Sequence, residues 1–195
     1  MILRTIRTAI CVVLALSFFG CAAPAPNMKL SQPTSTAVAV NQEKALIYFL
    51  RPQQLGFLIQ AAVYDGEEFI GFVPFDQKLP YLTSPGEHRF MVVSEAADFM
   101  DASVLPGKTY YVQVLPRMGA WRARFSLGPI TREELKTDKT KTWIEKAQLI
   151  ENKPEAYAWA KENRPSVLQK KEEYLKKWLE KGKDQQPFLK PDDSL

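Results

Sequence analysis

The segment AAVYDGEEFIGFV, residues 61–73, decides the fold, because two apolar stretches flank the pair Asp65-Gly66. An Asp-Gly pair between two apolar runs is a strong signal for the tight turn of a β-hairpin. Gly71 interrupts the second run, and an isolated glycine inside a strand is typical of a β-bulge. The segment therefore predicts two short strands joined by a turn at Asp65-Gly66.

Other short apolar stretches on both sides of this hairpin also have the character of strands. Residues 45–51, ALIYFLR, form a continuous apolar run, as expected for a strand that is buried on both faces. Residues 79–94 and 101–116 each contain two strands around a Pro-Gly turn. In residues 120–128 the side chains alternate, which indicates a half-buried strand with Trp121, Ala123, Phe125 and Leu127 facing inward and Arg122, Arg124 and Ser126 facing outward. Short strands at regular spacing predict an antiparallel β-sandwich over residues 44–130.

Beyond Pro129 the sequence becomes rich in Lys, Glu, Ala and Leu, and we expect a helical region over residues 131–183. Thr131–Glu134 and Ser166–Gln169 match the capping box, in which a Ser or Thr is followed three residues later by Glu or Gln. Each match predicts the start of a helix. The helices are expected within residues 140–151, from 154 to about 163, and from 166 to 181.

The last of these helices carries an apolar stripe formed by Leu168, Leu175, Trp178 and Leu179. Such a stripe covers its own domain more often than it meets a partner protein, and both alternatives stay open. Residues 184–195 contain two prolines and are predicted to form a loose tail. The chain as a whole is predicted to be mainly β with α: an antiparallel β-sandwich followed by a C-terminal helical region.

The first twenty residues have the character of an export signal. Arg4 and Arg7 precede an apolar run that ends at Phe19. This run is too short for a membrane span, which needs ~20 apolar residues. Residues 21–43 are rich in Pro, Ser and Thr, which predicts a flexible linker that reaches at most ~75 Å when stretched.

Phe18-Phe19-Gly20-Cys21 resembles the lipobox of bacterial lipoprotein signals, with Gly20 and Cys21 matching and the two phenylalanines departing from the preferred types. The resemblance implies cleavage before Cys21 and acylation of that cysteine, so that lipid chains anchor the protein in a membrane. Ala22 and Ala23 replace the Asp that retains lipoproteins at the inner membrane, which favours the outer membrane, facing the periplasm. Ordinary secretion with cleavage after Ala23 and an uncleaved anchor helix are the alternatives.

Four segments between about Lys44 and Ile130 form a recognisable pattern. They are Ile47-Tyr48-Phe49-Leu50-Arg51-Pro52, Val63-Tyr64-Asp65-Gly66, Pro85-Gly86-Glu87-His88 and Gly107-Lys108-Thr109-Tyr110-Tyr111-Val112. In this order the segments resemble a family of bacterial lipoproteins that carry a small domain of unknown function. The Asp-Gly and Pro-Gly turns are also similar to those of the PEGA domain, a small β-sandwich of surface proteins. The resemblance implies a sandwich fold and an envelope location, and it supplies no active site.

Charge and cysteine content exclude several classes of function. The chain has 26 basic and 22 acidic residues, and cleavage removes Arg4 and Arg7, so the mature chain has 24 basic residues and a net charge of +2. This charge is too small for the strong basic field that drives nucleic-acid binding. Cleavage also removes Cys11, and the lipid would occupy Cys21, so neither a disulfide nor thiol chemistry is expected.

Few residues point to catalysis or metal binding. His88 is the only histidine, and we expect it to bond a turn carbonyl or to pack near the sandwich edge rather than to act as a base. Glu95, Asp98 and Asp101 are closely spaced, but they lack the glycine and regular spacing of a calcium loop, so a solvated loop is the preferred interpretation. No catalytic residue, metal or cofactor is predicted.

Trp121, Arg122 and Arg124, with Arg117 nearby, are the weak candidates for a ligand site, because guanidinium groups grip carboxylates and phosphates. The alternating strand over residues 120–128 explains the same residues without a ligand. The leading hypothesis is a non-enzymatic envelope lipoprotein that binds or supports a protein partner. The alternatives are binding of envelope glycan or lipid through these side chains, and an uncharacterised hydrolase.

Overall fold

The computed structural model describes residues 30–59, 61–118 and 124–195. Within these ranges two β-sheets pack face to face, and helices cover both outer faces. The strands are β1 (Ser31–Pro33), β2 (Ala45–Leu50), β3 (Ala61–Asp65), β4 (Glu68–Val73), β5 (Gln77–Thr83), β6 (Gly86–Val93), β7 (Ala97–Val104), β8 (Thr109–Arg117), β9 (Arg124–Pro129), β10 (Gln148–Asn152) and β11 (Phe188–Leu189). The helices are α1 (Arg132–Leu135), α2 (Asp138–Lys146) and α3 (Pro154–Leu179).

Both sheets contain antiparallel and parallel neighbours. The six-stranded sheet has the order β1-β10-β5-β2-β8-β9, and the five-stranded sheet has the order β11-β7-β6-β3-β4. Most neighbours are antiparallel, while β2 with β8, β5 with β10 and β7 with β11 are parallel. The predicted mainly β class with a sandwich and helices is confirmed. The parallel pairs add a feature that the prediction of an antiparallel sandwich did not contain.

The apolar run that ends in Arg51 is buried on both faces, as predicted. Ile47 and Phe49 of β2 point into the core between the two sheets. Leu50 points to the opposite face of the six-stranded sheet, where it packs with Leu135 of α1 and Trp143 of α2. A continuous apolar run fits β2 because successive side chains of a strand point to opposite faces and both faces are covered here.

The helical region covers the sandwich, because α3 lies along the outer face of the five-stranded sheet. Trp178 of α3 is buried against Phe99 of β7, with ring centroids 6.0 Å apart. Trp159 packs edge-on against Phe72 of β4 at 4.9 Å. Leu175 packs against the same cluster. Trp178 and Leu175 of the predicted stripe therefore pack on the protein's own sheet, whereas Leu179 is 52% exposed. None of the helices in the described ranges is both long and apolar enough to cross a membrane.

The predicted hairpin is confirmed, with β3 and β4 joined through Gly66 at a φ of +59°. The register shifts beside Gly71, where a bulge was predicted. The side chain of Asn152 enters this bulge from β10, because its Nδ2 donates to the carbonyl of Ile70 (2.8 Å) and its Oδ1 accepts from the N–H of Phe72 (3.2 Å). A Cβ at residue 71 would lie 2.5 Å from the Asn152 amide. Glycine at this position therefore lets Asn152 join the two sheets.

The helix predicted within residues 140–151 is wrong in its second half. α2 ends at Lys146, and the next residues form β10 between β1 and β5. Ile150 of β10 is fully buried in the core between the sheets. Strand pairing and the burial of Ile150 thus outweigh the helical preference of this segment. The boundary predicted between residues 130 and 131 does not separate two bodies, because β10 belongs to the sandwich.

The two helices predicted after Pro154 are a single helix, so the second capping box, Ser166–Gln169, lies inside α3. Pro165 has no N–H and removes one helical hydrogen bond. Ala156 and Trp178 are buried on either side of it, and this packing keeps the helix continuous. The capping box at Thr131–Glu134 is confirmed, with both of its reciprocal hydrogen bonds present at the start of α1.

Both ends of the described chain are more ordered than predicted. β1 lies within the predicted linker and pairs with β10, and β11 lies within the predicted loose tail and pairs with β7. Leu189 of β11 is fully buried in the core. The carboxylate of Asp193 accepts hydrogen bonds from the N–H groups of Arg132 (3.3 Å) and Lys190 (2.9 Å). β10, β7 and Arg132 are distant in sequence from the segments that they contact, so local composition did not reveal these contacts.

In β9, Phe125 and Leu127 are buried as predicted, but Ser126 is also buried, although it was expected to face solvent. The Nε of Arg117 on the neighbouring β8 donates to the Ser126 hydroxyl (2.7 Å). The side chain of Arg117 therefore covers the outer face of β9 at this point. Ala123, which was expected on the inner face, lies outside the described residues.

We expect Leu189→Ala to lower the free energy of unfolding by ~2–5 kcal/mol, because it removes a fully buried side chain from the central core. Leu179→Ala is the matched control, because Leu179 is 52% exposed, and it should change that free energy by about 0.5 kcal/mol or less. Urea unfolding of the two variants measures both values. Equal, small effects would show that the C-terminal segment is not packed as described.

Candidate functional site

The loop that follows β2, residues 52–59, is held in place by a buried arginine. Arg51 has no exposed surface. Its Nη1 donates to the carbonyl of Ile59 (2.5 Å), and its Nη2 donates to the carbonyls of Leu55 (2.9 Å) and Gly56 (2.6 Å). A single side chain therefore fixes the backbone of the 52–59 loop at three points.

The guanidinium of Arg51 is stabilised by the carbonyl groups of the loop and by an aromatic ring. It lies over the ring of Phe125, 4.4 Å from the centroid, in the geometry of a cation–π contact. Burial lowers the pKa of Arg51 to about 10, so the group still carries its charge at neutral pH. A buried charge is costly unless it is well hydrogen-bonded, and hydrogen bonds from a charged donor are about twice as strong as neutral ones. The three loop carbonyls supply that compensation at Nη1 and Nη2, while the buried Nε has no hydrogen-bond partner among the described residues.

The 52–59 loop exposes three large apolar side chains. Leu55, Phe57 and Leu58 are 48%, 44% and 37% exposed, respectively. Ile59 packs against the central core, so the loop is anchored there as well as at Arg51. No residue of the loop carries a charge. Clustered apolar side chains on a surface mark sites of interaction with proteins or membranes.

Met118 is a further exposed apolar side chain at the same end of the sandwich. β2 and β8 are parallel neighbours, so the 52–59 loop and Met118 both lie beyond the carboxyl ends of adjacent strands. Met118 is 81% exposed. We call this end of the sandwich the loop end. It also includes the turn at Glu95, whose carboxylate is 3.1 Å from the guanidinium of Arg124 at the start of β9.

Of the weak candidates for a ligand site, Trp121 and Arg122 lie outside the described residues, as does Cys21, the predicted site of lipid attachment. Arg124 lies at the loop end, and its ion pair with Glu95 engages its guanidinium within the protein. The predicted ligand site is therefore neither confirmed nor contradicted, because Arg124 is the one residue of the three that lies in the described part of the chain.

His88 forms a hydrogen-bonded cluster at the opposite end of the sandwich. Its Nδ1 lies 2.7 Å from the Asp65 carboxylate, and its Nε2 lies 2.9 Å from the carbonyl of Ser84. The Tyr81 hydroxyl donates to the same carboxylate oxygen (3.1 Å), and the imidazole stacks on Phe90. The expectation that His88 bonds a turn carbonyl is confirmed.

Both ring nitrogens of His88 face acceptors, which favours the imidazolium form. A carbonyl oxygen and an ionised carboxylate can only accept hydrogen bonds, so both nitrogens act as donors in that form. The hydrogen bond to Asp65 raises the pKa of His88; burial opposes this, and the hydrogen bond to Ser84 adds to it. A general base needs a free lone pair on a ring nitrogen. The geometry therefore assigns His88 a structural role that joins the turn at residue 84 to β3.

The three acidic residues that were expected in a solvated loop are instead paired with basic groups. Asp101 of β7 forms a two-point ion pair with Arg89 (2.6 and 3.0 Å). Asp98, also on β7, lies 3.5 Å from Lys181, which follows α3. The Asp98–Lys181 contact links β7 to the end of α3, while the Arg89–Asp101 pair joins the neighbouring strands β6 and β7. In the part of the chain that the structure describes, no group of three His, Cys, Asp or Glu side chains is placed to hold a metal ion.

Sequence reasoning missed the 52–59 loop, although it singled out Arg51-Pro52 as part of a family resemblance. The available signal was the uncharged run PQQLGFLIQ, residues 52–60, directly after an arginine at the end of a buried strand. The periodicity of such a run does not reveal which apolar side chains face solvent. Only the fold shows that Ile59 points inward while Phe57 points outward.

Comparisons of this chain with models of protein families, with curated proteins and with solved structures gave no match.

The free energy of unfolding should fall as pH rises through and above the ordinary histidine pKa of ~6.5, because the raised pKa of His88 means that the folded state binds this proton more tightly than the unfolded state. The contribution is fully present below the ordinary histidine pKa of ~6.5 and is lost as pH passes the raised value. His88→Gln keeps a donor towards Asp65 but cannot titrate, so it should flatten this dependence. Thermal melts across the pH range test it, and an unchanged slope in the variant would contradict the assignment.

Proposed function

We propose that this protein is a lipid-anchored, non-enzymatic binding module of a bacterial envelope, and that the 52–59 loop is its contact surface for an envelope protein. The observation that carries the proposal is the use of a fully buried arginine to hold a loop whose exposed side chains are apolar. A loop held in its bound conformation loses less entropy when it binds a partner. The uncharged surface of Leu55, Phe57, Leu58 and Met118 suits the apolar centre of a protein interface.

The lipid anchor is part of this proposal and rests on the resemblance at Gly20-Cys21. The contacts around β1 limit how far the folded body can lie from the lipid anchor. The carbonyl of Leu30, just before β1, accepts a hydrogen bond from the N–H of Lys153 (2.7 Å). The chain from Cys21 to Leu30 has nine peptide units, which span at most ~30 Å. The anchored protein would therefore stay within ~30 Å of the bilayer, rather than the ~75 Å that the longer predicted linker allowed.

Envelope glycan or lipid binding through Trp121, Arg122 and Arg124 stays the second candidate, and a hydrolase stays the third. Arg124 lies at the loop end, so the second candidate shares a region of the surface with the first. A hydrolase would need a base other than His88, since both ring nitrogens of His88 are engaged as donors. The next experiment separates protein partners from lipid and glycan.

A photo-crosslinking residue at position 57, in the full chain expressed in its native cells, should give one protein adduct of defined mass. The matched control is the same residue at Tyr157, an aromatic position on α3 that is 56% exposed. That position should give no such adduct. Leu55→Ser with Leu58→Ser in the same chain should reduce the yield at position 57 at least ~10-fold, because it removes the apolar contact area. Adducts with lipid or glycan alone at position 57 would refute a protein partner.

The anchor is tested in the same cells. Detergent phase partitioning should retain the wild-type protein in the detergent phase, and mass spectrometry should find acyl groups on Cys21. Cys21→Ser should lose both properties while the folded part of the chain is retained. An unacylated wild-type protein that leaves membranes in salt would refute the anchor without affecting the loop result.

A further inference from the structure

A cavity of about 240 Å³ lies between the middle of α3 and the β3–β4 hairpin, on the outer face of the five-stranded sheet. It is remote from the 52–59 loop, because the hairpin turn and that loop lie at opposite ends of β3. The walls are mainly apolar, and charged side chains lie at the mouth. The wall residues are Tyr64, Phe69, Met91, Ala160, Val167 and Leu168.

Tyr64, one of the residues that line this cavity, has a hydroxyl that lacks a hydrogen-bond partner among the described residues. Tyr64 is 3% exposed, and its ring packs edge-on against Phe69 at 5.4 Å. Its hydroxyl is buried and has no hydrogen-bond partner among the described residues. Burial raises the pKa of Tyr64 to about 12, so the hydroxyl is neutral and can donate at physiological pH. Buried polar groups are nearly always hydrogen-bonded, so an unpaired hydroxyl in a cavity wall points to an absent acceptor.

The mouth of the cavity carries an excess of positive charge. The carboxylate of Glu67 receives hydrogen bonds from Arg164 (2.6 Å) and Lys171 (3.0 Å). Lys161 also lines the cavity. Among the residues that line the cavity, the two cations Lys161 and Arg164 therefore outnumber the one carboxylate, Glu67. Arg164 is close enough to Tyr64 for its charge to act on the pKa of the tyrosine. One anionic group could therefore contact both the Tyr64 hydroxyl and the cations at the mouth.

We propose that this cavity binds a small amphipathic carboxylate, with the carboxylate between the Tyr64 hydroxyl and Arg164 and the apolar body against Met91, Val167 and Leu168. The size of the ligand follows from the volume. An apolar cavity of about 150 Å³ holds benzene, so about 240 Å³ accommodates roughly ten non-hydrogen atoms. A free medium-chain fatty acid has this size and chemistry, and so does an aromatic acid of similar length. This site is independent of the proposed partner surface.

The test is a calorimetric titration of the full chain, held in amphipol, with sodium octanoate, with protein-free amphipol as the blank. Octanoate should bind with one-to-one stoichiometry. 1-Octanol has the same chain without the charge and should bind at least ~10-fold more weakly, because the mouth is basic and a hydrogen bond to a charged group is worth about a factor of ten or more. Phenylpropanoate in place of octanoate distinguishes an aromatic from an aliphatic body.

Three variants assign the binding to this cavity. Tyr64→Phe keeps the buried ring and removes only the hydroxyl, so the fold should be retained while octanoate affinity falls ~10-fold. Arg164→Gln should cause a similar loss. Ala160→Leu fills the cavity and should abolish binding, whereas Ala158→Leu, at an exposed position on the same helix, should leave it unchanged.

Three results would overturn the proposal. They are absence of octanoate binding to the wild type, equal affinity for octanol and octanoate, and wild-type affinity in Tyr64→Phe. A thermal melt of each variant identifies any that fails to fold, and Tyr64→Phe decides the question if Ala160→Leu does. Loop variants at Leu55 and Leu58 should leave octanoate binding unchanged, so the outcome here is separate from that of the partner experiment.

Discussion

The guanidinium of Arg51, at the end of β2, has no exposed surface and donates hydrogen bonds to three carbonyls of the loop that follows. Loss of this side chain would leave the partly buried carbonyls of Leu55 and Ile59 without a donor, at about 1–3 kcal/mol each, while the Gly56 carbonyl would keep only the Ile59 N–H. The Phe125 ring closes the other side of the group. The position of Leu55, Phe57 and Leu58 on the surface, and thus the proposed contact with a partner, depends on this one buried cation.

The layers of the fold explain why recognition is expected at the ends of the sandwich. α3 covers the five-stranded sheet, and α1 with α2 covers the six-stranded sheet, so much of each sheet face is buried. The loops at the two ends remain accessible, and their character differs. The loop end is apolar and uncharged in its 52–59 segment. The opposite end holds the His88 cluster, and the cavity beside Tyr64 lies towards it under α3.

Features that depend on local chemistry were predictable from the sequence, and features that depend on long-range pairing were not. Asp65-Gly66 specifies its own turn, and the capping box at Thr131 specifies its own helix start, so both were predicted. β10 exists because Ile150 completes the core, and α3 passes through Pro165 because the helix is packed on both sides of it. The 52–59 loop and the cavity beside Tyr64 could not be predicted for the same reason. No spacing in the sequence shows that Arg51 turns inward onto its own loop, or that α3 leaves the Tyr64 hydroxyl without a partner.

The most direct test of the central claim is amide hydrogen exchange of the 52–59 loop in the full chain, compared between wild type and Arg51→Met. Arg117→Met is the control, because Arg117 is an exposed arginine at the same end of the sandwich. We expect exchange in the loop, including the Ile59 N–H that donates to Gly56, to become more than ~10-fold faster in Arg51→Met. The amides of β2 and β8 in Arg51→Met, and the loop amides in Arg117→Met, should keep their wild-type protection from exchange relative to the rest of the chain. Unchanged exchange in the loop of Arg51→Met would contradict the account.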